Sequence, residues 1–264
     1  MELSNDRSFD FRDDRPDVSE FRDAGAARRD RRAFFALPFE FRQFAAHRYI
    51  VRAGERVVEA TLIVAGLAFR HKATVEGSRQ ILSVHIPGDF VDLEGSLLEV
   101  ANHNVQALTN CEVAVVPRDA MVELIDTHAR LGKAMWIDTL IDASIYREWI
   151  VNVGRRDARS GTCHLLCEFA RRLAAVGLAE SAGYELPMTQ EQLADALGIT
   201  PVHVNRILKE LDREGLIVRA KRFVRVPDWG ALCKVAGFND LYLHLGKFAT
   251  PTDSADGSKG ATGA

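Results

Sequence analysis

The stretch "TQEQLADALGITPVHVNRILKELDREGLI", from Thr189 to Ile217, decides how the rest of the chain is read. Thr189 with Gln192 three residues on is a capping box, which satisfies orphan N–H groups at a helix start. Leu193, Ala196 and Leu197 make one apolar face. Gly198 ends the helix as a residue that tolerates the left-handed conformation, and Ile199 plugs the turn. Thr200 is a second N-cap, followed by Pro201 at the first helical position, where a missing N–H costs nothing. In the second helix Val204, Ile207, Leu208 and Leu211 recur at i, i+3, i+4 and i+7, so they pack on the first helix. The opposite face presents Val202, Asn205, Arg206 and Lys209, with Pro201 and His203 beside them. Two short helices joined by a tight glycine turn are the plan in which the second helix enters the major groove of DNA. A plain amphipathic pair with a solvated basic face would give a similar pattern. The following "LIVRAKRFVRV" tips the balance: it reads as a hairpin with Arg219, Lys221 and Arg222 at its tip, a wing whose cations could grip phosphates.

Upstream the pattern is different. "RYIVRAGERVV", "ATLIVAGLAFRHKAT", "SRQILSVHIPGDFVDL" and "VQALTNCEVAVVPRD" are short β-branched runs broken by turn residues, which predicts a small antiparallel sandwich or barrel over residues 45–118. After Pro117 the period lengthens. "DAMVELIDTH" is helical, and "ARLGKAMWIDTLIDASIYREWIVNVG" is a longer helix with apolar Met135, Ile137, Leu140, Ile141, Ile145, Trp149, Ile150 and Val153 on more than one side. A helix apolar on several faces must be buried on several sides. One side can pack on the β-domain; the other calls for a second copy of the helix, or for a second domain of the same chain. A third helix, "RSGTCHLLCEFARRLAAVG", follows a polar break. The fold class is α+β. The predicted divisions are a mobile charged arm over 1–33, the β-domain over 34–125, the long helix over 126–156, the winged unit over 157–248 and a disordered, Gly-rich tail over 249–264.

The chain of 264 residues is 47% apolar, enough for a sizeable core, and its net charge of -3 gives no overall polyanion signal. A basic patch can still sit inside a neutral average. No apolar run is long enough for a membrane span, and the charged N-terminus lacks a signal-peptide apolar region, so a cytoplasmic protein with no membrane partner is expected. Cys111, Cys163, Cys167 and Cys233 have no zinc spacing and are expected as free thiols, with no metal site.

The order of elements, with "TQEQLADALGITPVHVNRILKELDREGLI" and "GDFVDL", resembles the Crp/Fnr superfamily of bacterial transcription regulators over about residues 35–245. The resemblance implies an N-terminal cyclic-nucleotide-binding-type β-roll, a long dimerisation helix and a C-terminal winged helix-turn-helix. It also implies a homodimer on a palindromic site in double-stranded DNA, with RNA polymerase as a further partner. Carried over by position, Thr189 and Glu191 approach the DNA backbone, as part of an interface that includes Thr200 and His203. Pro201, Val202, Asn205 and Arg206 occupy base-reading positions, Arg206 matching an arginine that reads guanine. The best-known members carry Arg-Glu where this chain has Pro201-Val202, so a different half-site is expected. Val202 can meet a thymine methyl but cannot accept a hydrogen bond from cytosine.

The family's cAMP receivers hold ribose with a Gly-Glu pair and the cyclic phosphate with an Arg-Ser pair. Here Asp92-Leu93 stand at the first pair, Ala101-Asn102 lie near the second, and no arginine occurs between Phe90 and Arg118. Glu94 falls one residue past the ribose position, and Tyr146-Arg147 stand where the long helix would meet the purine. Regulation without cAMP and without a bound cofactor is therefore expected. The alternative is gating by an unidentified small molecule, in a pocket lined by Asp92, Leu93, Asn102, His103 and Tyr146, or by haem on His71, His85, His103 or Cys111. With no cysteine before Cys111, the family's N-terminal iron–sulfur cluster is excluded. The stretch "YREWIVNVGRRDARSGTCHLLCEF" looks like the nitrogen-fixation and oxygen-response branch, whose members are often active without an effector. Oxidation of Cys163 or Cys167 is a candidate control point, although nothing near either thiol is placed to lower its pKa. No H-x-x-E-H, G-x-S-x-G or P-loop pattern supports an enzyme.

Overall fold

The computed structural model describes residues 28–180 and 183–245. Most of the expected arm (residues 1–27) and the whole of the expected tail lie outside the described residues. The last residues assigned to the arm are helical: α1 spans Arg28–Phe35. The reason is Phe34, which is buried and packs edge-on to Phe39 at 5.4 Å, giving the charged run an anchor.

Seven short strands follow: β1 (Glu40–Phe44), β2 (Tyr49–Val51), β3 (Glu59–Ala65), β4 (Ala68–Ala73), β5 (Arg79–His85), β6 (Asn104–Ala107) and β7 (Cys111–Pro117). They form two antiparallel sheets, β1-β7-β3 and β2-β6-β4-β5. Ile63, Ala68, Val91, Val105, Val113 and Val115 fill one cluster within the roll. The tight β3–β4 turn needs glycine: Gly66 has φ +82°, and a Cβ there would lie 2.1 Å from the Asn110 carbonyl oxygen.

Helix α2 (Arg118–Thr127) leads into α3 (Ala129–Gly154). One face of α3 buries Met135, Ile141, Ile145 and Trp149. Ile141, Ile145 and Trp149 join Leu67, Phe69, Ile81 and Val84 of the roll in one core cluster. The other face leaves Trp136 67% and Ile150 70% exposed, with Leu140 and Val153 also open. The apolar character expected on several sides is present, and the second side is unpaired among the described residues.

The C-terminal unit comprises α4 (Ala158–Ala175), β8 (Ala179–Glu180), β9 (Gly183–Glu185), α5 (Gln190–Leu197), α6 (Pro201–Arg213), β10 (Val218–Ala220), β11 (Phe223–Arg225) and α7 (Trp229–Ala236), closed by a 3₁₀ turn at Leu241–Leu243. The wing is larger than the expected hairpin: β8 and β9 extend it into a four-stranded sheet, β10-β11-β9-β8. Strands of two and three residues are too short to show alternation in sequence.

Candidate nucleic-acid interface

Local chemistry fixes the two short helices. The Thr189 hydroxyl accepts from the Gln192 amide at 3.1 Å, and the Gln192 side chain accepts from the Thr189 amide at 2.8 Å. Gly198 closes α5 at φ +67°, ψ 31°. The Thr200 hydroxyl accepts from the His203 amide at 3.3 Å, and Pro201 opens α6. Val204, Ile207, Leu208 and Leu211 are buried and share a core cluster with Leu193 and Leu197. A bidentate ion pair between Arg159 and Glu214 ties the start of α4 to the end of α6.

The outer face of α6 is open. Pro201, Val202, Arg206 and Lys209 are exposed, Val202 at 81%, while His203 and Asn205 are half-buried. Among the described residues the side chains of Asn205, Arg206 and Lys209 have no hydrogen bond or ion pair, so their donors are free for a partner. Thr189, Glu191 and Thr200 are exposed at the two helix starts beside this face. On the wing, Lys221 and Arg222 form the tip, with Lys221 at φ +57°. Arg219 is not at the tip: it is half-buried within β10, where its amide donates to Asp212 at 3.3 Å. Arg225 on β11 and Arg213 at the end of α6 add two exposed cations. Arg225 continues the basic stretch of the hairpin, a signal that could have found it, whereas Arg213 sits between Asp212 and Glu214 and carries no such signal.

Of the residues expected to line a pocket in the roll, the structure brings together Asp92, His103 and Tyr146, around a residue the sequence reading left out. Arg70 on β4 donates to the Val91 carbonyl and the Tyr146 hydroxyl, and lies 3.4 Å from Glu94. In sequence Arg70 is one of three successive polar residues, Arg70-His71-Lys72, and nothing local marks it out. Asp92 is buried, accepts from the Thr61 amide at 3.0 Å, and burial pushes its carboxyl up to about 7. His103 is also buried; its Nδ1 is 3.1 Å from Asn102 Oδ1 and 3.7 Å from Glu94. Burial, reinforced by the Arg70 charge, holds His103 down at about 4, so it is neutral at pH 7. Asn102 is at the surface, and Leu93 turns away into an apolar cluster with Phe34, Leu62 and Met121.

His71, His85 and His103 are all buried, and both ring nitrogens of His71 are unpartnered. The outer sheet face carrying His71 is covered by α3 and the C-terminal unit, which the strand pattern could not show. No group of three or more His, Cys, Asp or Glu side chains among the described residues is arranged to hold a metal ion. The four cysteines are free, and burial pushes the Cys163 thiol up to about 11 and the Cys167 thiol up as well. Both are protonated and poorly nucleophilic at pH 7.

Residues 162–235 match the model of a Crp-like helix-turn-helix domain, and residues 41–128 that of a cyclic nucleotide-binding domain. The chain is 31% identical over 201 residues to the transcriptional activator protein FnrL of Cereibacter sphaeroides, a match covering 75% of this chain and 80% of that protein. It is 26% identical over 172 residues to the nitrogen fixation regulation protein FixK of Azorhizobium caulinodans, covering 65% and 68% of the two chains. In fold it is similar to FixK2 from Bradyrhizobium japonicum, with a TM-score of 0.70 at 22% identity over 75% of this chain and 98% of that one.

Proposed function

The chain belongs to the Crp/Fnr family of transcription regulators, and we propose that it acts as a homodimer that reads a palindromic promoter site and is not gated by cAMP. It works by binding and not by catalysis, in the cytoplasm, and hands its signal to RNA polymerase. No helix among the described residues is long and apolar enough to cross a membrane. The observation that carries the DNA reading is the outer face of α6. There Arg206 and Asn205 have no partner among the described residues, Val202 is exposed, and the cationic wing tip follows in the chain. Arg206 reads guanine, Val202 rests on a thymine methyl, and the exposed Thr189, Glu191 and Thr200 stand beside the backbone. The unpaired apolar face of α3 supports the homodimer, which would set two α6 helices about one DNA turn apart.

The buried acid Asp92, near an Arg70 already engaged by Val91 and Glu94, supports independence from cAMP, because a buried cyclic phosphate needs free charged donors. A second reading, gating by another small molecule, draws on the unpartnered buried atoms Arg70 Nε, Ser96 Oγ and His103 Nε2. Mass spectrometry of the natively purified protein separates the two: a co-purifying ligand supports the second.

Selection from a random duplex pool at two salt concentrations tests the main reading. A palindrome should be enriched, with affinity falling steeply as salt rises. Arg206→Ala should lower affinity for that site by about 1–3 kcal/mol and relax one base pair. An intact dimer that enriches no sequence would overturn the proposal.

A further inference from the structure

Arg70 lies mid-strand in β4 and is only 5% exposed. A guanidinium taken so far out of water must hand its donors to acceptors. Its acceptors come from two separate parts of the chain, the 91–94 segment and α3. Nη2 donates to the Val91 carbonyl at 2.5 Å and lies 3.4 Å from the carboxylate of Glu94, which sits on a 3₁₀ turn at Leu93–Ser96. Nη1 donates to the Tyr146 hydroxyl on α3, and the guanidinium carbon stands 5.5 Å from the Tyr146 ring centroid. Glu94 is shared with His103, whose Nδ1 is 3.7 Å away.

We propose that Arg70 is a built-in tether that holds the roll onto α3 with no added ligand, and so presets the position of the DNA-reading unit. The connection onward is visible in named contacts. Three residues beyond Tyr146, Trp149 Nε1 donates to both oxygens of Glu168 on α4, at 3.0 and 3.1 Å. Four residues beyond Glu168, Arg172 donates to the Val84 carbonyl at 2.6 Å and to Asp89 at 2.7 Å, returning to the roll. Both ends of this circuit lie on the roll, and α5 and α6 pack in the same apolar cluster as Trp149 and Leu166 along it. An incoming anion would have to take Arg70 away from Val91, Glu94 and Tyr146. Arg70 is a positioning residue, since it lies in the roll and touches no part of the α6 reading face.

The inference rests on the DNA-binding reading for its effect on affinity, but the tether has a readout of its own. The full chain with Arg70→Gln and, separately, with Tyr146→Phe is compared with wild type by hydrogen exchange over α3 and by titration of the site enriched by wild type. The expected result is faster exchange across residues 141–150 in both variants. Affinity for the site should fall at least tenfold in Arg70→Gln and about threefold in Tyr146→Phe. Base preference should be unchanged, because the face of α6 is intact. Millimolar methylguanidinium should restore part of the affinity of Arg70→Ala, a response that general loss of stability would not give. Unchanged exchange in folded Tyr146→Phe overturns the tether even where Arg70→Gln does not fold. Faster exchange with wild-type DNA affinity overturns its role in presetting the reader. Failure of wild type to enrich any site defeats the DNA reading and leaves the exchange result standing.

Discussion

Asn205 presents a neighbouring donor and acceptor on one planar amide, the pattern that pairs with N6 and N7 of adenine in the major groove. It lies three residues after Val202 and next to Arg206, all on the free side of α6. Asn205→Ala should therefore lose about 1–3 kcal/mol at one base pair only, while Lys209→Ala should weaken every site alike and reduce the salt slope by about one. Titration of single-substituted sites at several salt concentrations distinguishes the two. A residue-scale prediction of a different kind concerns Asp92. Burial raises its folded pKa to about 7 from 3.8, so between these values the folded state holds a proton that the unfolded chain has released. Stability then falls as pH rises through that window. Asp92→Asn keeps an oxygen for the Thr61 amide and removes the ionisation. It should stabilise the protein at pH 8 by about 1–4 kcal/mol, and change little at pH 4, in urea unfolding. What was legible at this scale is what acts locally. The caps at Thr189, Gln192, Gly198 and Thr200 are written within a few residues of the groups they satisfy. Arg70 was not legible, because its acceptors lie 21 and 76 residues away and only the folded sheets bring them to it.

Among the elements, α3 carries the clearest unfinished surface. Trp136, Leu140, Ala143, Arg147, Ile150 and Gly154 follow one another at steps of four, three, four, three and four, the stripe of a coiled-coil seam. Trp136, Leu140 and Ile150 on this stripe are exposed, as a seam awaiting its partner would be. Arg147 is the discordant member. Its guanidinium is parked on the Ser144 hydroxyl of its own helix at 2.6 Å, and in a parallel pair it would face its own copy. A polar residue at one seam position fixes register at a cost in stability. Arg147→Leu should tighten the dimer at least tenfold in sedimentation equilibrium, and Trp136→Glu should weaken it. Unchanged association in both would place the dimer contact elsewhere. The period of α3 could be read from sequence, since twenty-six residues average over local noise. Strands β8 and β9 could not, being shorter than one full alternation, and neither could α7, which follows the wing without a strong periodic face.

Across the whole molecule, the roll and the reading unit share one continuous core: Phe69, Ile81 and Val84 cluster with Trp149, Leu166, Leu197 and Leu208. Polar contacts reinforce it, with Arg79 to Asp195 at 2.7 Å and Gln80 to the Ala196 carbonyl at 3.2 Å. Sequence reading separated the two units because composition and period change between them, and side chains that cross a boundary leave no local trace. Arg172 is the buried charge at this junction. Burial opposes its charge but is outweighed by Asp89 and Glu168, which keep it firmly protonated. Glu168 lies 3.9 Å away, fully enclosed, and burial pushes its own carboxyl up despite Arg172, Tyr242 and Trp149. Removing one member of such a cluster leaves its partners charged and unpaired, at about 3–5 kcal/mol. Arg172→Ala should therefore split the calorimetric unfolding into two transitions, with the reading unit melting first, where wild type shows one. The sign of the pH dependence follows. Without the guanidinium the folded carboxyl of Glu168 moves further above its unfolded value, so the loss grows from pH 5 to pH 8. Adding Glu168→Gln to Arg172→Ala should recover part of it, because one of the two stranded charges is gone. A single transition at the wild-type temperature in Arg172→Ala would show that the apolar cluster alone joins the two units.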